Sequence, residues 1–194
     1  MWRRGVQFVA GIDEAGRGAL AGPVVVAAVV LVRGVAVTGA RDSKLLTERQ
    51  RARVYEAILT RGLSIGVGAA SPREVDRLNV WRATCLAARR ALLKLDVPVQ
   101  HVLMDGRLMI PNVPIPQTAV VDGDARCLSI ALASIVAKVR RDRAMILLGS
   151  LHPCYEFHRH KGYGTTQHQD RLRRFGPGDS HRMSFAPLAQ MELW

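Results

Sequence analysis

The stretch GIDEAGRGALAGPVVVAAVV, residues 11–30, decides how this chain reads. An apolar run closes on two adjacent carboxylates, Asp13 and Glu14, and passes into a turn holding Gly16, Arg17 and Gly18. Pro23 then opens a second apolar run, rich in valine. Val6, Phe8, Ala10 and Ile12 alternate on one face, the period of a strand, so the first run is a strand over 6–12. The second, over 23–32, has the continuous β-branched character of a buried strand. The linking turn GRGALAG is close to a dinucleotide fingerprint, but its last glycine comes one residue late and a strand follows where a helix is required. No Gly-Lys-Ser/Thr follows either, so it is not a P-loop. What such a turn offers is exposed backbone N–H groups and close backbone approach, with Arg17 in reach of a phosphate.

Working outward, Thr47-Glu-Arg-Gln50 is a capping box and predicts a helix to Arg61. A third strand over 63–70 follows. Ser71-Pro-Arg-Glu74 is a second capping box, and Val75, Leu78, Trp81, Cys85, Ala88 and Leu92 predict one long amphipathic helix. Short strands are expected over 99–104 and 118–121. A long helix over 128–148 should be ended by Gly149, and a short helix is expected over 167–175. Strands first, then strands mixed with helices, give a single α/β domain over 1–194 with a central mixed sheet flanked by helices. Residues 150–194 form a polar, basic C-terminal helical segment suited to substrate binding.

Three strand ends deliver carboxylates: Asp13 and Glu14 after the first, Asp105 in MDGR, and Asp124 in DGDAR before the long helix. Ligand sites in α/β sheets gather beyond strand ends. Carboxylates that converge repel one another unless a cation neutralises them, and hard oxygen ligands select Mg²⁺ or Mn²⁺. Such ions can drive phosphodiester hydrolysis. Taken alone, Asp124 reads equally as a helix cap; adjacent Asp13 and Glu14 do not, since one cap needs one acceptor.

The 194 residues suffice for one core, and 48% hydrophobic content argues against disorder. No run is long enough to span a bilayer and no signal peptide is read, so a cytoplasmic protein is expected. Three cysteines without a C-x-x-C pair fit a reducing compartment. Against 28 Lys and Arg stand 16 acids, a net charge of +12, which points to an anionic partner, above all nucleic acid. A non-catalytic basic nucleic-acid-binding protein would explain the charge but would leave the strand-end acids idle. A resolvase-like nuclease would use similar carboxylates on DNA junctions.

GIDEAGRGALAGPVVVAAVVL, DSKLL, MDGR, DGDARCLSIALASIVAKVRRD, and the series HKGYGT, FGP, HR and SFAPL together resemble ribonuclease HII, the bacterial type 2 ribonuclease H, from about Val9 to Leu188. The resemblance implies a ribonuclease H-like fold and a metal-dependent endonuclease, using Mg²⁺ or Mn²⁺, that cuts the RNA strand of RNA–DNA hybrids. It also implies cleavage 5′ of single ribonucleotides in duplex DNA. A monomer is expected. Position by position, Asp13, Glu14, Asp105 and Asp124 match the catalytic, metal-binding carboxylates. Gly16, Arg17 and Gly18 match the element that contacts the ribonucleotide, and Tyr163 the tyrosine that stacks on the sugar at the RNA–DNA junction. Lys44 is placed to reach the substrate backbone. The chain departs from the family pattern at Asp122, where lysine is usual, at Glu156, where glycine is usual, and at Leu132, where alanine is usual.

Five of the six histidines lie between His152 and His181. A zinc reading of His152, Cys154, His158 and His160 matches no common spacing. Arg159, Lys161, Arg171, Arg173, Arg174 and Arg182, interleaved with Tyr155, Tyr163, Phe175 and Phe185, read instead as a nucleic-acid surface, with Phe175 and Phe185 assigned to the core. Arg140 and Arg141 read as a solvated helix face.

Overall fold

The computed structural model describes residues 5–31, 37, 39, 43, 46–61, 63–107 and 109–191. The two strands expected from the opening motif, β1 (Val9–Ala15) and β2 (Val24–Leu31), pair antiparallel. Helix α1 (Glu48–Thr60), strand β3 (Ser64–Ala70) and helices α2 (Pro72–Leu78) and α3 (Val80–Leu92) follow. Next come β4 (His101–Asp105), β5 (Gln117–Val120), α4 (Gly123–Arg126) and the long α5 (Leu128–Leu151). The C-terminal part holds α6 (Phe157–His160), α7 (Thr166–Phe175) and α8 (Leu188–Met191).

The sheet order is β3-β2-β1-β4-β5. β1 is antiparallel to β2 and parallel to β4, and β4 is parallel to β5, so the sheet is mixed. Alternation along β2 builds two cores. Ala27, Val29 and Leu31 face α1 and α5 with Ile58, Leu132 and Val136, while Val24, Val26 and Ala28 face α3 with Ala87, Ala88 and Ala91. Both faces are covered, which is why β2 reads as an unbroken apolar run. Leu132 is fully buried in the first core.

Both capping boxes form. Thr47 accepts from the Gln50 N–H and Ser71 from the Glu74 N–H, and each partner side chain accepts from the cap residue's N–H in return. Four expectations shift. β1 runs to Ala15 because its ladder with β2 continues through Ala15↔Val25, so Asp13 and Glu14 lie within the strand. The helix expected from Ser71 to Leu92 is broken at Asn79, which takes φ 67° and caps α3 by accepting from the Arg82 N–H. Asp124 sits in the separate one-turn α4, set off from α5 by the extended Cys127. α5 passes through Gly149 to Leu151, and Gly149 is buried against the backbone of His158 instead of ending the helix.

Candidate active site

The parallel register of β1 and β4 pairs Ile12 with Met104, which sets Asp13 beside Asp105 at neighbouring strand ends. On the other side, Gly11 presses against the start of α5. A Cβ there would lie 2.3 Å from the carbonyl carbon of Ser129, so glycine is required for the helix to reach the strand that carries the acids. A cavity of about 300 Å³ opens at this junction. Asp13, Glu14, Gly16, Arg17, Gly18, Asp105, Ser134, Lys138 and Tyr163 all line it. The structure thus brings together three of the four expected carboxylates, the glycine turn and the tyrosine.

Asp13 is 6% exposed. Burial first, then the carboxylates of Glu14 and Asp105, pushes its pKa up to about 8, against the opposing hydrogen bonds of Ser134 and the Glu14 N–H. Glu14 lies 3.5 Å from the Arg17 guanidinium. Asp105 accepts from the Gly123 N–H at 2.8 Å, which ties the end of β4 to the start of α4. Asp124, the next residue, is buried beside that tie and is not among the cavity-lining residues. Among the described residues, no three His, Cys, Asp or Glu side chains converge closely enough to hold one metal ion. The three carboxylates on the cavity wall nevertheless offer hard oxygen donors, and an acid raised to about 8, first by burial and then by its acidic neighbours, is the electrostatic setting that a divalent cation relieves.

Lys44 lies outside the described residues. Its neighbour Ser43 also lines the cavity, at 2.7 Å from the Ser134 hydroxyl, and Arg51 donates to the carbonyls of Ser43 and Leu46 at 2.6 Å each. Tyr163 is half-buried, with the Arg141 guanidinium 5.1 Å and Lys138 Nζ 5.6 Å from its ring centre. Lys138 also donates to Asp142 at 2.8 Å. Ser134, Lys138 and Arg141 were not singled out from the sequence as site residues. Their i, i+4, i+7 spacing, a polar stripe on an otherwise apolar helix, is the pattern that marks them.

Several tail expectations are corrected. Arg141 is not solvated; it is fully buried, while Arg140 is exposed. Arg182 is fully buried as well. His160, His168 and His181 are core residues, packed around Phe157 with Tyr155. His160 and His168 stack at 4.3 Å. Tyr155 is buried and donates to the Gly176 carbonyl, whereas Phe175, expected in the core, is 43% exposed; Phe185, half-buried, packs against the core as expected. The physical reason is shared: the tail has few aliphatic residues, so it builds its own small core from rings that hydrogen-bond to backbone.

Of the departures from the family pattern, Asp122 is exposed at φ 53° and makes no capping bond. Glu156 takes φ 55°, a conformation natural to glycine, and is held there by Arg171 and Gln167.

Residues 10–188 match the family model for ribonuclease HII. Ribonuclease HII of Bacillus cereus strain G9842 is 48% identical over 188 residues, covering 97% of this chain and 72% of that protein. Ribonuclease HII of Bacillus thuringiensis strain Al Hakam is 45% identical over the same shares. Among solved structures, ribonuclease H2 of Pyrococcus horikoshii OT3 superposes with TM-score 0.79 at 24% identity, covering 96% of this chain and 97% of that one. Ribonuclease HII of Archaeoglobus fulgidus, solved with PCNA, gives 0.77 at 24% identity, covering 92% and 95%. Bst-RNase HIII in complex with Mn²⁺ gives 0.74 at 19% identity, covering 97% and 70%. These structural likenesses speak to the fold, which is ribonuclease H-like, and the sequence matches carry the rest. The chain belongs to the ribonuclease HII family, endoribonucleases that act on RNA paired with DNA.

Proposed function

We propose that the cavity at the ends of β1 and β4 is the active site of a divalent-metal-dependent endonuclease. It cuts the RNA strand of RNA–DNA hybrids and cuts duplex DNA on the 5′ side of a single embedded ribonucleotide, leaving 5′-phosphate and 3′-hydroxyl ends. The observation that carries this reading is one cavity wall holding Asp13, Glu14 and Asp105 together with the glycine turn and Tyr163.

Asp13, Glu14, Asp105 and Asp124 would hold Mg²⁺ or Mn²⁺, with the buried Asp13 at the centre. The cation, when bound, supplies an activated water and neutralises the leaving oxygen. The remaining roles fall to the chain. Gly18 has no atom within 4 Å of where a Cβ would stand, so the substrate backbone can approach the turn there. A 2′-hydroxyl both donates and accepts, and it distinguishes RNA from DNA at one position. Tyr163 offers its face to the next sugar, which stacks more closely when it lacks that hydroxyl. Arg17 and Lys138 are cations on the same wall for the flanking phosphates. Residues 150–194 extend the substrate surface, with Arg159 and Arg174 exposed upon it.

The test is gel analysis of end-labelled duplexes holding zero, one or four ribonucleotides, in Mg²⁺, in Mn²⁺ and in excess chelator. Cleavage should need the ion and a ribonucleotide, and Tyr163→Ala should lose more rate on the single-ribonucleotide duplex than on a long hybrid. If the protein cuts only the long hybrid, the junction-reading role of the turn and the tyrosine is wrong. If Asp13→Asn keeps its rate, the metal-site assignment fails.

A further inference from the structure

Two arginines lie fully buried behind the cavity, Arg141 and Arg182, and neither has a carboxylate partner among the described residues. A buried guanidinium is costly unless every donor is met. Here backbone carbonyls bond all three nitrogens of each guanidinium. Arg141 donates from Nε to Pro23 O at 3.0 Å, from Nη1 to Lys161 O at 3.0 Å and from Nη2 to Ala21 O at 3.1 Å. Arg182 donates from Nε and Nη2 to Gly22 O at 3.0 and 2.8 Å, and from Nη1 to Arg17 O at 2.9 Å. Five carbonyls from the turn between β1 and β2 and from the segment before Tyr163 are thus gathered onto two forks. Burial lowers both pKa values, that of Arg182 to about 10, so Arg182 stays charged at neutral pH.

The consequences for the cavity are geometric. A trans peptide points its N–H opposite to its C=O, so holding Arg17 O toward Arg182 turns the Gly18 N–H away from it. Gly16 packs directly on Arg141: a Cβ there would lie 1.7 Å from Nε. The Tyr163 ring meets the same guanidinium through the 5.1 Å cation–π contact, and the bond to Lys161 O ties the segment just before it. The turn that faces the ribose and the ring that faces the next sugar therefore share one support.

We propose that Arg141 and Arg182 are positioning residues for ribonucleotide recognition, acting through the peptide between Arg17 and Gly18 and through the Tyr163 ring. This rests on the junction-reading function proposed above. Charge alone is not enough for the role. A lysine keeps the charge but cannot span Arg17 O and Gly22 O with a planar fork.

The experiment compares kcat/KM for the parent, Arg182→Lys and Phe185→Leu on a single-ribonucleotide duplex and on a long RNA–DNA hybrid, with the Mg²⁺ dependence of each. Phe185→Leu is the milder variant, because it removes only the ring 5.2 Å from the Arg182 guanidinium and keeps an apolar side chain. Losing charge-assisted hydrogen bonds should lower the ratio of single-ribonucleotide to hybrid kcat/KM by about tenfold in Arg182→Lys, with a smaller drop in Phe185→Leu. The Mg²⁺ midpoint should not move. A purely structural role would instead lower both substrates in parallel with the melting temperature. A selective parent whose variants keep its ratio overturns the inference and leaves the function standing. A parent that does not distinguish the two substrates overturns the junction reading, and the inference with it.

Discussion

Glu156 grips Arg171: Nε of the arginine lies 2.8 Å from Glu156 Oε2, and a second guanidinium nitrogen shares the same oxygen. The Arg171 bonds, with help from Gln167, hold the Glu156 carboxyl below the usual carboxylate range. The pair joins the turn before α6 to the middle of α7. It also alters how the basic tail can meet nucleic acid, since Arg171 is already partnered and Arg173 donates to Asp170 at 2.6 Å. Arg174 instead packs over the exposed Phe175 ring, 5.2 Å from its centre.

The three arginines of α7 should therefore contribute unequally to binding. Each phosphate neutralised adds a slope of about −0.9 to log K against log salt. Arg174→Ala should flatten the slope for an RNA–DNA hybrid more than Arg171→Ala does. Glu156→Gly should steepen it, because Arg171 is released. Anisotropy titrations across a salt series measure all three, and an unchanged slope in Glu156→Gly would place the phosphates away from α7.

Asp13 sets stability against activity. Its pKa, raised to about 8 chiefly by burial, keeps the acid protonated in the metal-free folded protein at neutral pH while the unfolded chain ionises it, so folding must take up a proton and stability falls as pH rises from 3.8 toward about 8. Asp13→Asn should abolish most cleavage and yet raise the melting temperature in excess chelator. The gain should be on the order of 1 kcal/mol or more, since the amide is neutral in both states and folding no longer has to take up that proton. Mg²⁺ should raise the parent's melting temperature more than the variant's. A variant that melts below the parent without metal would contradict the account.

The histidine core makes the fold acid-sensitive. Burial above all depresses His168 and His181 to about 4, from an ordinary value near 6.5. Between those values the unfolded chain binds more protons than the folded one. The stability from this core is thus complete above about pH 6.5 and is lost as pH falls toward 4. The loss should be on the order of 3 kcal/mol for each histidine. His168 Nε2 and His181 Nε2 lie 3.1 Å apart, so one must donate while the other accepts, which protonation of both forbids. Urea melts at pH 7, 5.5 and 4.5 should show the decline, and His181→Gln should flatten it.

How far the sequence reached follows from the range of each interaction. Capping boxes and strand alternation are local, so α1, the start of α2 and the β1–β2 pair were legible from residues a few positions apart. The carboxylates were legible because a strand end followed by an acid is also local. The break at Asn79 was hidden, since its apolar residues keep helical spacing on both sides. Arg141 and Arg182 were hidden for a different reason. All but one of their partners are carbonyls over a hundred residues away, such as Pro23 O and Gly22 O, and a carbonyl carries no side-chain identity to read. The buried histidines looked like surface groups because polarity, not packing, is what composition records.

Gly16 and Gly18 flank the same arginine, and the structure separates their roles. Gly16 has φ +87°, and a Cβ on it would strike the buried Arg141 guanidinium, which its three carbonyl bonds hold in place. Gly16→Ala should cost roughly 1–3 kcal/mol of stability, from backbone strain and displaced packing together. Gly18 has no such strain and open space where a Cβ would stand. Gly18→Ala should leave stability within about 0.5 kcal/mol of the parent. If the substrate backbone seats against the turn, however, the added methyl occupies its place. kcat/KM on the single-ribonucleotide duplex should then fall by about tenfold or more, through KM as well as kcat. Urea melts and steady-state kinetics on the same preparations separate the two variants. A stable, fully active Gly18→Ala enzyme would show that the ribose is read elsewhere on the cavity wall, and a stable Gly16→Ala would show that Arg141 yields.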